Sequence, residues 1–142
     1  NAGRAVFSKY DRNTVENSIG AKFTFNSKMG LDARLRHYWS DRRNKEYFYL
    51  NSAGGLDSYN GPTSQLSDQT YNVFNIDINY TWVFAPGSEL TIAYKNASEI
   101  ADREFRKRYF KNVDYILNTP HNNSLSIKLL YFIDYLSLLK KK

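Results

Sequence analysis

From Tyr71 to Asn96 the chain reads YNVFNIDINYTWVFAPGSELTIAYKN, and its first arm alternates apolar and polar residues without a slip. Phe74, Ile76, Ile78, Tyr80, Trp82 and Phe84 fall on one face, while Asn75, Asp77, Asn79 and Thr81 fall on the other. A period of two puts successive side chains on opposite sides of an extended strand, so this arm has a greasy face and a wet one. Ala85-Pro86-Gly87-Ser88 breaks the pattern, because proline fixes φ and glycine accepts φ > 0. The second arm resumes it with Leu90, Ile92 and Tyr94 against Thr91 and Lys95. Such a hairpin folds only where its greasy face meets a protein core or lipid.

The same alternation recurs along the chain. Thr14 to Ser27 sets Val15, Ile19, Ala21, Phe23 and Phe25 against Glu16, Ser18, Lys22 and Thr24. Lys28-Met29-Gly30 then reads as a three-residue hairpin loop whose glycine can take the left-handed position. Leu31 to Ser40 follows, with Leu31, Ala33, Leu35 and Trp39 opposite Asp32, Arg34, Arg36 and Tyr38. Ser124 to Leu136 gives a last apolar row of Leu125, Ile127, Leu129, Tyr131, Ile133 and Tyr135. A weaker strand from Asn1 to Lys9 is set off by a polar turn at Asp11-Arg12-Asn13. The expectation is an all-β chain of about six antiparallel strands.

Two long connections separate the strands: Asp41 to Gln69, in which Glu46 to Asn51 can continue a strand, and Ala97 to Asn123. The second has helical possibilities over Ser98 to Phe110, with Ser98 as cap, before Thr119-Pro120 returns the chain to extended geometry. The short turns alternate with these long loops. That is the rule of outer-membrane barrels, whose turns are short on the periplasmic side and long outside.

Composition leaves that reading open. The chain has 142 residues, enough for one domain. Mean hydropathy is −0.63, and no run approaches the roughly 20 apolar residues of a spanning helix. A helical membrane protein is excluded, but alternation hides a barrel from any averaged scale. Aromatics make up 16% of the chain, with 12 Tyr, 9 Phe and 2 Trp, a share that suits interfacial girdles. There is no cysteine, so neither a disulfide framework nor a thiolate metal site is available. A net charge of +6 raises nucleic acid as a partner, but no helix-turn-helix, zinc finger or RNA-binding motif accompanies it, so none is expected.

These features together predict an antiparallel up-and-down transmembrane β-barrel in the bacterial outer membrane. Its C-terminus would be periplasmic and its long loops extracellular. Trp39, Tyr80, Trp82, Tyr131 and Tyr135 are its expected interfacial anchors. Bacterial barrels begin at about eight strands, so residues 1–142 are expected to be the C-terminal part of a single, larger barrel domain. The chain opens at Asn1 with no export signal, which implies a signal already removed or a longer upstream chain.

Charges on the wet rows are the expected lumen wall. Asp77 and Lys95 lie on facing arms of the hairpin within cross-strand reach, and Arg34 and Arg36 on the neighbouring strand can join them. A second basic group, Arg103, Arg106, Lys107, Arg108 and Lys111, marks an exposed loop that is solvated or meets anionic head groups or a surface partner. For catalysis there is little. His37 and His121 have no Cys or carboxylate at metal-ligand spacing, which points to structural or interfacial roles. No Gly-x-Ser-x-Gly elbow, phosphate loop or paired carboxylates occur. The chain is expected not to be an enzyme and to hold no metal or cofactor.

Two segments carry a family resemblance. FNIDINYTWVFAPGSELTIAYKNA (Phe74 to Ala97) and NTPHNNSLSIKLLYFIDY (Asn118 to Tyr135) resemble the C-terminal barrel of a set of Bacteroidota outer-membrane proteins. The TWVFAPGSEL run is the more specific of their motifs. In those proteins, the resemblance implies, an N-terminal carbohydrate-binding module of the family-9 type precedes a large barrel of uncharacterised function. It further implies an envelope component linked to glycan handling, or a subunit of a larger outer-membrane assembly. Expected partners are outer-membrane lipid, other outer-membrane or surface proteins, and glycan through the upstream module. No residue here inherits sugar binding, since that module is absent from the sequence. Two other classes compete: a soluble antiparallel barrel or sandwich binding an apolar ligand or protein, and the barrel anchor of an enzyme whose site lies upstream.

Overall fold

The structure, a computed structural model, describes residues 5–62, 67–103 and 108–135. In chain order they form β1 (Val6–Asn26), β2 (Met29–Leu50), β3 (Leu56–Ser58), β4 (Gln69–Ala85), β5 (Ser88–Asp102), α1 (Tyr109–Leu117) and β6 (Asn122–Leu130). The strands make one open antiparallel sheet in the order β1-β2-β4-β5-β6, with β3 on β2. The all-β antiparallel expectation holds. The sheet's edges are β1 and β6.

Several boundaries differ from the expected ones, each for a reason visible in the pairing. The polar turn at Asp11-Arg12-Asn13 does not form; these residues continue β1. Asp11 meets Lys45 Nζ at 2.6 Å, Lys9 meets Glu46 at 3.3 Å, and Arg12 Nε donates to Ser40 Oγ at 3.0 Å. Cross-strand partners override the tendency of Asp and Asn to bond their own backbone. The same contacts carry β2 on through the charged run after Ser40, so the expected long loop begins ten residues later, after Leu50. Within it, β3 pairs back on β2 with Tyr49 opposite Asp57. Asn51 Oδ1 holds that turn, accepting from the Gly55 and Ala53 amides at 2.7 and 3.1 Å.

The first short turn is Ser27-Lys28, with Met29 and Gly30 inside β2. Asn26 Oδ1 caps it by accepting from the Lys28 amide at 2.8 Å, so no left-handed glycine is needed. The helix falls later than expected, at Tyr109–Leu117, and Ser98 lies in β5 with its hydroxyl donating to the Pro120 carbonyl at 3.2 Å. Asn112 and Ile116, four apart, form its buried stripe. The last strand stops at Leu130, not Leu136. Leu130 pairs with Glu89, and β5 starts one residue earlier at Ser88, so the ladder runs out of partner.

The residues divide into two compact units, to both of which β1, β2, β4 and β5 contribute. The first unit is Asn1–Asn17, His37–Phe74 and Ser98–Pro120. It holds every buried apolar side chain among the described residues: Trp39, Phe74 and Ile116. The second unit is Ser18–Arg36, Asn75–Ala97 and His121–Lys142. Its strand portions, 18–26, 29–36, 75–85, 88–97 and 122–130, are between 8 and 11 residues long. Among its described residues only Ser88 is buried, and no apolar side chain is.

Candidate functional site

In the second unit the register of β5 and β6 sorts the two faces. Leu90 lies opposite Leu129, Ile92 opposite Ile127 and Tyr94 opposite Leu125, while Thr91 faces Lys128 and Lys95 faces Ser124. One face of this pair is therefore continuously apolar, and it is uncovered: Leu125, Ile127 and Leu129 are each about two-thirds exposed, and so is Ile19 on β1. Antiparallel sheets ordinarily pack such a face on a core.

Several rings of that unit gather beside its short turns. Phe23 stands edge-on to Phe25 at 4.8 Å, Phe25 to Tyr80 at 6.4 Å, and Trp82 to Phe84 at 5.6 Å. Phe84 stacks on Tyr131 at 6.2 Å and 19°. The expected anchors Tyr80, Trp82 and Tyr131 thus belong to ring pairs, and Tyr135 is exposed past the end of β6. Trp39 is placed differently. It belongs to the first unit, is only 6% exposed, and stands 6.0 Å from the Tyr109 ring. Its indole fills that unit's core.

On the wet face Arg34, Arg36, Asp77 and Lys95 line one cleft of 330 Å³ with Asp32 and Asn79. Asp77 takes Arg36 as its partner, at 2.9 Å, and not Lys95, which lines the same cleft. A guanidinium offers several donors in a planar fork, where an ammonium is a point charge. Lys22 approaches Asp32 at 4.0 Å at the rim of the same face.

Three residues of the basic loop fall among the described residues. Arg103 follows the end of β5, Arg108 precedes α1 and accepts the Asn112 amide and side chain on its carbonyl, and Lys111 is exposed on the helix. Arg106 and Lys107 lie outside the described residues.

A buried polar chain in the first unit has no counterpart in the sequence reading. Asn17 Nδ2 donates to the Tyr109 hydroxyl at 2.8 Å, and that hydroxyl donates to His37 Nδ1 at 3.2 Å. His37 Nε2 donates to Asn72 Oδ1 at 2.9 Å, and Asn72 Nδ2 to the Asn112 carbonyl at 2.9 Å. The Nε2-protonated tautomer satisfies every partner in this chain. His37 and Asn72 are almost fully buried, so the network fixes α1 on β1, β2 and β4. A signal was present: Asn17, His37 and Asn72 each occupy a greasy-row position of their strand. Polar residues there demand partners. His121, by contrast, donates from Nδ1 to Asn96 Oδ1 at 2.8 Å in the second unit.

Beside the network, Asp41 is 1% exposed and accepts from the Thr70 hydroxyl at 2.9 Å. Burial pushes its carboxyl above the ordinary carboxylate range, against the Thr70 hydrogen bond and with the help of the Asp68 charge. Among the described residues no group of three or more His, Cys, Asp or Glu is placed to hold a metal, and no helix is long and apolar enough to cross a membrane.

No curated protein and no solved structure matches the chain. A family model described as a domain of unknown function, DUF5916, matches residues 1–142.

Proposed function

The chain belongs to the DUF5916 family, and from that footing we propose that it is part of an integral outer-membrane β-barrel, non-enzymatic, serving the envelope in glycan handling or within a larger surface assembly. The observation that carries the reading is the uncovered apolar face of the second unit. Its strand portions of 8 to 11 residues match the roughly 9–11 residues with which a tilted strand crosses a bilayer. Water is a poor solvent for that face, since apolar surface gains about 25 cal/mol for each Å² removed from water.

The ring pairs around Phe23, Phe25, Tyr80, Trp82, Phe84 and Tyr131 supply an interfacial girdle at one end of those portions. On this reading the Ser27-Lys28 and Pro86-Gly87 turns face the periplasm, and the β2–β4 and β5–β6 connections face outward. The wet cleft around the Arg36–Asp77 pair becomes lumen wall. The edges β1 and β6 pair with further strands to close the barrel, because an unpaired backbone group in hydrocarbon costs several kcal/mol. Glycan handling and the Bacteroidota assignment rest on the resemblance of Phe74 to Ala97 and Asn118 to Tyr135.

Fractionation of cells making the full-length protein tests the reading. Recovery in the outer membrane, resistant to alkaline washing and released only by detergent, is the expected result. Recovery as a soluble protein without detergent would overturn it and assign the apolar face to a protein or ligand partner.

A further inference from the structure

The wet side of the first unit brings Tyr10, Arg12, Ser40, Arg42, Gln69 and Tyr71 around a small cleft of 100 Å³. Strand parity explains the gathering. Each pair of these residues is two positions apart on one strand, β1, β2 or β4, and so shares a face.

Both arginines are held, and both have unused donors. Arg12 Nε donates to the buried Ser40 hydroxyl at 3.0 Å, and Thr14 Oγ1 reaches the same oxygen at 3.3 Å. This uses one of the five guanidinium N–H groups. The Arg42 guanidinium lies 5.1 Å from the centre of the Tyr10 ring, and its Nε is buried with no hydrogen-bond partner. Burying a charged donor without an acceptor is unfavourable, and native structures rarely leave one so. The ion pairs among the described residues involve Lys9, Lys22, Arg36 and Lys45, and neither Arg12 nor Arg42. Glu99, a carboxylate in the same unit, accepts instead from the Tyr71 hydroxyl at 3.0 Å. The larger cleft of the second unit differs, because there Arg36 already has its carboxylate at 2.9 Å.

We infer that this cleft is an oxyanion site, taking a phosphate or carboxylate group between Arg12 and Arg42. Planar guanidinium forks match such groups with paired, charge-assisted hydrogen bonds. Ser40 fixes one fork and the Tyr10 ring supports the other, so little side-chain freedom is left to lose on binding. The site needs only the geometry of the first unit, and it stands whether or not the second unit meets lipid. The group can arrive on a free small molecule or on a lipid head group, and the chemistry of recognition is the same.

The test titrates the purified full-length protein in detergent with inorganic phosphate, glucose 1-phosphate, glucuronate and neutral glucose, by calorimetry. A second arm compares nanodiscs with and without lipid A, whose phosphates are the head-group source. Saturable binding of at least one anion is expected, with none of glucose. Arg12→Gln with Arg42→Gln should weaken it at least tenfold, and Arg36→Gln should leave it unchanged. Should that double variant fail to fold, Arg12→Lys with Arg42→Lys keeps the charge but loses the fork, and should weaken binding several-fold. Binding to lipid A nanodiscs alone would assign the head-group source; binding to soluble anions would assign the free one. Absence of saturable binding in every arm, or binding that the lysine and glutamine variants retain in full, would overturn the inference.

Discussion

Arg36 Nη2 lies 2.9 Å from Asp77 Oδ2, tying β2 to β4 on the wet face of the second unit. The Arg36 side chain is half exposed and that of Asp77 about a quarter. Exposed pairs of this kind contribute only about 0.2–1 kcal/mol. A double-mutant cycle with Arg36→Ala and Asp77→Ala should return a coupling energy in that range, shrinking as salt is added. A salt-independent coupling several times larger would mean the pair is dehydrated in the intact protein.

Tyr109 is the joint of the buried chain in the first unit, accepting from Asn17 and donating to His37. Tyr109→Phe keeps the ring against Trp39 and strands both partners. It should destabilise the fold by about 1–3 kcal/mol. Asn72→Ala should cost as much or more, since it breaks the chain between His37 and the Asn112 carbonyl. Denaturant unfolding reads both, and protease cleavage near α1 should rise in each variant. A Tyr109→Phe protein as stable as the natural one would mean that water replaces the hydroxyl.

Gly87 has two separate reasons to be glycine. Its φ is +73°, and a Cβ there would sit 2.9 Å from the Cβ of Phe132, whose amide donates to Ser88 Oγ at 3.0 Å. Pro86 before it and the positive φ are the marks of a type II turn. Gly87→Ala should destabilise by about 1–3 kcal/mol from the backbone alone. Adding Phe132→Gly, which removes the Cβ it would strike, should recover only the part due to the clash. Full recovery in the double variant would show that the backbone tolerates alanine there.

Asp41 makes stability depend on pH in a stated direction. Its carboxyl is raised above the ordinary 3.8 by burial, so the folded state holds the proton more tightly than the unfolded chain does. Stability from this group is therefore lost as pH rises from 3.8 through the raised value. Asp41→Asn removes that slope and keeps an acceptor for the Thr70 hydroxyl. At neutral pH the variant should unfold at the same temperature or higher, and the two proteins should converge in acid. A variant markedly less stable at neutral pH would mean that the ionised carboxylate has a partner the folded protein supplies.

How much of this the sequence disclosed depends on the range of the interaction. Alternation from Phe74 to Phe84 identifies a strand because each step of the backbone reports its own side, and the structure extends that hairpin to Gln69–Ala85 and Ser88–Asp102. Where strands end was less legible. Asp11 reads as a turn until Lys45 is seen beside it, and Leu130 is terminal only because Glu89 is opposite. The helix at Tyr109–Leu117 depends on a seat built from Asn17, His37 and Asn72, residues far apart in the chain. Parity puts Arg36, Asp77 and Lys95 on one wet face, but the choice of Arg36 over Lys95 as partner depends on the distance between strands. Arg12 and Arg42 are not legible as a pair, because the sequence reads one as turn and the other as loop, and only the strands β1 and β2 bring them to one cleft.

Whether the greasy face of the second unit meets lipid, as proposed, can be read directly from the chain's two tryptophans. Trp82 is 39% exposed, whereas Trp39 is 6% exposed beneath Tyr109. The full-length protein, reconstituted in vesicles of brominated lipid, is compared with its Trp82→Phe and Trp39→Phe variants by fluorescence quenching. The emission removed by Trp82→Phe should be strongly quenched by the brominated acyl chains, and the emission removed by Trp39→Phe should not. A Trp82 component as bright in brominated as in ordinary lipid would contradict contact with lipid.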